Sequence, residues 1–412
     1  NYNMLDINLI REKTKEVEKA LLKRIDSVNL ESIIKLDDER KILITKVDEM
    51  KAERNKGSKG KPDPEEIKKM KTLSKEIKKL DEELKNLEEK LKEKMGELPN
   101  IPADDVPAGG KENNKVIKTF AEKPKFNFTP KDHVELATSL NLIDYKRAAK
   151  MSGSGFWIYK GDGALLEWAL LNYFIEFHRN NGYTFIIPPF LLNEDSAYVS
   201  GHLPKFRDDL YWTQDGNCLN ATSEMMLGNY HRDEILDENN LPIKYYAYST
   251  CFRREAGSYR KEERGMVRGH QFNKIEMFQF TKEDQSWIAF EEMKNSVEKL
   301  VEDLGLHFQT SLLAAGDASA AMAKTIDVEV WIPSMNIYKE VSSISNALDY
   351  QARRGNIRYK TENVNKYVHT LNASGLATSR LIPAILEQFQ QADGSVLIPK
   401  VLQKFMGKEI IK

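Results

Sequence analysis

The sequence predicts an α+β protein: a mostly antiparallel sheet flanked by helices, preceded by a long antiparallel helical hairpin. Three observations carry this expectation. Residues 31–98 hold 19 Lys/Arg and 18 Asp/Glu in 68 positions, with apolar residues keeping a heptad beat. Beyond about residue 100, helices mix with several strand-like runs without the regular strand–helix alternation of a doubly wound sheet. Finally, no Gly-x-Gly-x-x-Gly follows a strand and no Walker phosphate loop is present, so the common nucleotide-binding α/β signatures are missing.

The elements follow in chain order. Ile33, Leu36, Arg40, Leu43, Val47, Met50 and Arg54 are spaced 3, 4, 3, 4, 3, 4, and so are Met70, Leu73, Ile77, Leu80, Leu84, Leu87 and Leu91. Two arginines make the first seam less apolar than the second. Gly57-Ser58-Lys59-Gly60-Lys61-Pro62 interrupts the runs, and Asp63 before Pro64, with Glu66 three residues on, resembles a capping box. Two helices folded back on each other are favoured over a parallel dimeric coiled coil, because glycines and prolines break the path. The shorter helix should be roughly 36 Å long at 1.5 Å per residue. Residues 99–128, with Pro99, Pro102, Pro107 and Gly109-Gly110, read as a linker. The domain boundary is placed at 104/105, giving domains 1–104 and 105–412. A helix start is expected at Thr129-Pro130 with Asp132, and an amphipathic helix over 163–180. A strand should follow at Tyr183-Thr184-Phe185-Ile186-Ile187, stopped by Pro188-Pro189. Further strand-like runs are 243–249, 266–280 and 326–332, and a helix over 286–304 should end at Gly305.

Composition bounds the function. The chain has 412 residues, enough for two or more domains, and 62 Lys/Arg against 63 Asp/Glu give a net charge of −1. That excludes a uniformly basic nucleic-acid coat but leaves room for a basic patch. Two cysteines, Cys218 and Cys251, cannot build a disulfide framework or a four-cysteine zinc site, and they read as small hydrophobes. No run of eighteen apolar residues suggests a membrane span. The seven histidines form no close ligand cluster in sequence, so zinc is not expected.

The chemistry should sit at Phe252-Arg253-Arg254-Glu255-Ala256-Gly257-Ser258 and Arg264-Gly265-Met266-Val267-Arg268-Gly269-His270-Gln271-Phe272-Asn273-Lys274-Ile275-Glu276. As a hairpin, its second strand would put Arg268, His270, Phe272, Lys274 and Glu276 on one side. An aromatic between cations and a carboxylate can stack a base and hold phosphate. A charged exterior face would show the same periodicity. Arg254 should point away from Arg253, and His270 and Trp331 read as packing residues.

This block resembles the second signature motif of class II aminoacyl-tRNA synthetases, and the whole chain is similar to the seryl-tRNA synthetase family. The match begins at Met4-Leu5-Asp6 and runs through the helical hairpin. It continues through Thr222-Ser223-Glu224 and Trp331-Ile332-Pro333-Ser334. Glu340-Val341-Ser342-Ser343-Ile344-Ser345-Asn346 follows, and then Asn372 to Arg380 before an Ala-Ile-Leu-Glu helix. The resemblance implies a class II synthetase sheet, ATP and Mg²⁺ as cofactors, and ligation of L-serine to serine tRNA, with selenocysteine tRNA as a further candidate. It places Arg253, Arg268 and Arg380 on the phosphates as catalytic groups, Phe272 under adenine with Arg380 above it, and Glu255 at the adenine end. Glu340 and Ser343 would hold Mg²⁺ through ATP. Thr222, Glu224, Arg253, Glu276, Asn372 and Ser374 would bind serine. The resemblance also implies a homodimer through the 163–189 segment, with tRNA bound across subunits by the hairpin arm, in cytoplasm or mitochondrial matrix and not at a membrane. The residues before Met4 are compatible with a processed start.

Several positions depart from the family pattern. Tyr259-Arg260-Lys261-Glu262-Glu263-Arg264-Gly265 replaces the usual loop, Met225-Met226 follows Glu224, Met335 stands where glutamine is common, and Leu376-Ala377-Thr378-Ser379-Arg380 has few glycines. None removes a proposed phosphate arginine. The alternatives are a catalytically silent paralogue with a structural or RNA-binding role, and an amino acid–carrier protein ligase.

Overall fold

The computed structural model describes residues 5–57, 64–255 and 265–412. The turn expected at 58–62, the Asp63 cap and the altered loop at 259–264 lie outside these residues. The chain divides into two compact units, one ending at Ile101 and the other beginning at Pro102, three residues before the boundary drawn from composition.

The first unit is built on helices α1 (Leu30–Gly57) and α2 (Pro64–Glu97), after two short helices at Ile7–Glu12 and Thr14–Leu21. Seam residues Ile33, Val47, Ile77, Leu80 and Leu91 are buried. Antiparallel passage within one chain sets Lys51 2.9 Å from Asp81 and Lys69 2.8 Å from Glu53. The arginine at seam position 40 has a local reason: its guanidinium pairs at 2.9 Å with the fully buried carboxylate of Asp37, which Arg11 and Lys41 also reach at 3.0 Å. An ion cluster, not apolar contact, fills that layer.

The second unit is organised by an eight-stranded sheet. Its strands are β1 (Lys115–Phe120), β2 (Thr184–Ile186), β3 (Ile243–Phe252), β4 (Gln271–Thr281), β5 (Phe308–Leu312), β6 (Lys324–Ile332), β7 (Ile337–Leu348) and β8 (His369–Ala377). The spatial order is β1-β5-β6-β7-β8-β4-β3-β2. Every neighbouring pair is antiparallel except β2 with β3. Helices α3 (Asp162–Asn180), α4 (Ser286–Asp303) and α5 (Thr378–Phe389) pack on this unit's core. In α4, Phe290, Met293, Val297, Leu300 and Val301 repeat at helical spacing and are all fully buried, and Gly305 follows with φ +74°.

Two expectations need correction. The segment 99–128 is not all linker, because it contributes the edge strand β1. Its lysines disguise it: Lys115 and Lys118 flank exposed Val116 and Ile117, a charged edge of the kind that discourages further pairing. Lys118 is tied to Glu298 and Glu302 of α4 at 2.7 and 2.8 Å. The run 266–280 is not one strand either, since pairing starts only at Gln271. Before it the backbone bends. A Cβ at Gly269 would lie 2.1 Å from Trp157, so the chain passes too close to that ring for any side chain. The shared parity therefore holds for Phe272, Lys274 and Glu276, whereas Arg268 and His270 are placed by the bend.

Candidate active site

One face of the sheet packs on the main core, and the other carries the pocket, with a second apolar cluster around Phe278 and Phe280 further along β4. On β4, Ile275 and Met277 join the apolar cluster while Phe272, Lys274 and Glu276 face an open pocket. On β8, Leu371 and Ala373 go inward and Asn372 and Ser374 outward. On β7, Glu340 and Ser343 are an odd number apart, yet both line the pocket. A register shift explains this: Val328 pairs with Ser342 and Glu329 with Glu340, leaving Val341 as an extra residue. The bulge resets the parity.

The pocket has a volume of about 400 Å³. Thr222, Glu224, Arg253, Glu255, Arg268, Glu276, Glu340, Ser343, Asn372 and Ser374 all line it. A narrower recess shares Arg253, Glu255, Arg268, Lys274, Glu340 and Ser374 with it, and adds Phe272 and Arg380. The tertiary fold thus brings all twelve residues singled out in the sequence to one continuous cavity. Arg253, Arg268, Phe272 and Arg380, spread over 128 positions, line the same recess.

Each cation is held by the protein. Arg253 donates through Nε to the Ala221 carbonyl at 3.3 Å, and its guanidinium lies 5.2 Å from the centre of the Phe272 ring. Arg268 donates to the Glu255 carboxylate at 2.6 Å. Glu255 itself adopts φ +52°, a sparsely populated conformation for a residue with a side chain. Arg380 donates to the Glu340 carbonyl at 2.7 Å and to the Val267 carbonyl at 3.3 Å. Its anchoring therefore joins α5, β7 and the bend before β4.

The opposite end is carboxylate-rich. Lys274, 5% exposed, is paired with Glu276 and donates to the Thr222 hydroxyl at 2.6 Å. Thr222 lies 3.3 Å from Glu276 Oε2. Glu224 accepts from Gln351 at 2.8 Å and from Asn372 at 3.0 Å. Burial, and then the charge of Glu276, push its carboxyl up to about 7. His202, bonded to Ser200 at 3.0 Å, is pushed down to about 3 by burial and by Arg253, so it is a neutral wall residue. Beside Glu340 and Ser343, burial and the charge of Glu340 push Asp327 well above the usual carboxylate range, and its Oδ1 has no hydrogen-bond partner.

Lys274, Gln351 and His202 were not among the site residues drawn from sequence. Lys274 could have been found from its strand parity with Phe272 and Glu276, whereas Gln351 and His202 sit in segments with no motif. Arg254 is exposed, and His270 packs 5.3 Å from Phe156 while its Nδ1 meets the Arg253 carbonyl at 3.0 Å. Trp331 is 7% exposed. Among the described residues no cluster of three or more His, Cys, Asp or Glu suits a metal ion, and no helix is long and apolar enough to cross a membrane.

A cavity with arginines at one end and paired carboxylates at the other suits a polyanion beside a small zwitterion. Comparison with known proteins agrees. Residues 4–102 match the model of the seryl-tRNA synthetase N-terminal domain, and residues 211–389 match the class II tRNA synthetase core domain (G, H, P, S and T). The chain is 55% identical over 423 aligned positions to a serine–tRNA ligase 2 of Clostridium acetobutylicum, covering 98% of this chain and 100% of that one. It is 48% identical to a serine–tRNA ligase of Petrotoga mobilis, covering 99% and 100%. Its fold superposes with a TM-score of 0.93 on seryl-tRNA synthetase from Pyrococcus horikoshii complexed with ATP, at 34% identity and 99% coverage of both chains. With cytoplasmic serine–tRNA ligase of Naegleria fowleri in complex with AMP, the TM-score is 0.89 at 30% identity, covering 100% and 99%. The chain therefore belongs to the seryl-tRNA synthetase family of class II aminoacyl-tRNA synthetases.

Proposed function

We propose that this pocket joins L-serine to the 3′ end of serine tRNA in two steps, with ATP as the activating substrate. The observation that carries the reading is the meeting of Arg253, Arg268, Phe272 and Arg380 in one recess beside Glu276 and Thr222. Adenine stacks on Phe272 with Arg380 over its other face, and Glu255 borders the adenine end. Arg268 and Arg380 hold the outer phosphates. Arg253 faces the α-phosphate and the serine carboxylate. One serine carboxylate oxygen bonds to the α-phosphorus as the bond to the β-phosphate bridge breaks, giving seryl-adenylate and pyrophosphate. The tRNA 3′-hydroxyl then attacks the seryl carbonyl, and AMP leaves with the bonding pair while the hydroxyl proton passes to its phosphate. No side chain is acylated; the work is positioning and neutralisation of developing charge.

For the amino acid, Glu276 and Thr222 receive the ammonium, while Glu224, Asn372 and Ser374 border the hydroxyl. A substrate lacking the hydroxyl would leave buried polar groups unpaired. Glu340 and Ser343 fit Mg²⁺ bound through ATP. They offer hard oxygens, and the neighbouring Asp327 carboxyl, which the Ser343 hydroxyl reaches and whose Oδ1 has no partner, adds acid that a divalent cation would neutralise. When bound, that ion would neutralise phosphate charge.

The residue 1–104 domain serves as the tRNA-binding arm, gripping phosphate and shape through its many Lys and Arg, and 105–412 is the catalytic and dimerisation domain. A homodimer forms on the apolar surface of α3 and β2, where Leu165, Trp168, Phe185 and Ile187 are exposed. The bacterial relatives favour a cytoplasmic setting. Serine-dependent ATP–pyrophosphate exchange, followed by charging of total tRNA, tests the reading. Both should occur with serine alone among the amino acids. Absence of exchange with serine overturns it, and exchange without charging points to the carrier-protein ligase.

A further inference from the structure

Directly beneath the nucleotide recess lies an acid that the reaction does not use. Glu167 is on α3, 2% exposed, within the apolar cluster that includes Leu166, Ala169 and Leu170. A carboxyl in such surroundings costs several kcal/mol unless its hydrogen bonds do something an apolar residue cannot. Its Oε1 accepts two: from Asn273 Nδ2 at 2.8 Å and from the Thr378 hydroxyl at 2.6 Å. Both donors are next to site residues. Asn273 sits between Phe272 and Lys274 on the reverse face of β4. It is itself gripped by Tyr248 and Thr250 of β3, at 3.1 and 3.0 Å from its Oδ1. Thr378 opens α5, two residues before Arg380, and its hydroxyl also lies 3.2 Å from the Asn273 carbonyl.

We infer that Glu167 is a positioning residue that sets the spacing between Phe272 and Arg380, the two faces of the adenine slot, by clamping β4 and α5 to α3 through a single oxygen. It rests on the adenylate-forming reading above and assigns that reading a determinant outside the pocket. Glutamine at 167 keeps an acceptor oxygen in the same place, and the nitrogen it puts in place of Oε2 meets the Tyr159 hydroxyl, which can accept as well as donate. Alanine removes the clamp. The serine end is held separately, through Lys274, Thr222 and Glu276.

The test is the ATP–pyrophosphate exchange assay on the full chain, with KM for ATP and for serine measured separately in wild type, E167A, E167Q and T378V. Wild type must first exchange with serine; if it does not, the functional reading fails and not this one. Given wild-type exchange, E167A and T378V should each raise KM for ATP by about tenfold, with KM for serine within about twofold, and E167Q should stay near wild type. If E167A does not fold, T378V, which removes only the hydroxyl, decides. Unchanged KM for ATP in the folded variants overturns the inference. So does an equal rise in both KM values, or an E167Q as impaired as E167A, because a merely structural acid would give those results.

Discussion

Arg253 illustrates how much of the proposed reaction depends on the shape of a charge and not only its sign. Its guanidinium is fixed by the Ala221 carbonyl and lies over the Phe272 ring, so its fork is aimed before any substrate arrives. Arg253→Lys keeps the charge and loses the fork. It should lower kcat for exchange by about 10²–10³ while leaving the thermal melt within a few degrees. A lysine variant as fast as wild type would show that charge alone suffices.

Glu167 also makes a prediction about stability. Burial raises its carboxyl from an ordinary 4.5 to about 7. The folded chain therefore keeps a proton that the unfolded chain releases above pH 4.5. This contribution to stability is complete below that value and declines as pH rises towards 7. Glu167→Gln has no proton to lose. Urea unfolding at pH 5 and pH 7.5 should show wild type losing on the order of 3 kcal/mol more than E167Q across that interval. Glu224, raised in the same window, is common to both proteins and cancels. Equal pH slopes would mean that Glu167 does not titrate as its burial requires.

At the scale of elements, the heptads of residues 31–98 were legible because each long helix presents one stripe to one partner, and period alone identifies such a stripe. Strand β1 was not legible. A short lysine-bearing edge has no apolar alternation, and only its pairing with β5 and the ties from Lys118 to α4 make it a strand. The hairpin should be separable in function. Replacing 31–98 by a short linker should leave serine-dependent exchange within about threefold and reduce tRNA charging by more than about 100-fold, because phosphate and shape contacts supply most of an RNA grip. Retained charging would remove the arm from the proposed tRNA site.

For the whole molecule, the proposed division of labour needs two chains. Trp168 of α3 is 54% exposed, and Ile187, the residue after β2, is 70% exposed. The double variant W168E/I187E should sediment as a monomer and lose charging even where ATP binding, followed by calorimetry, persists. A monomer that still charges tRNA would refute the placement of tRNA across subunits.

The sequence by itself determined the kinds of element, the two-part organisation, the family, and twelve residues that converge on one cavity, because periodicity and local motifs are properties of neighbours along the chain. Only the tertiary structure decided which face each of those residues meets. Glu340 and Ser343 share the pocket through the extra residue at Val341. Arg268 enters from a bend and not from a strand, and Lys274 is drawn between Thr222 and Glu276. Glu167 looks like any polar residue of an amphipathic helix until β4 and α5 close over it. Those outcomes depend on groups up to 211 positions apart meeting across a packed core, where one register shift or one shared oxygen redirects a side chain, and no spacing along the chain encodes that.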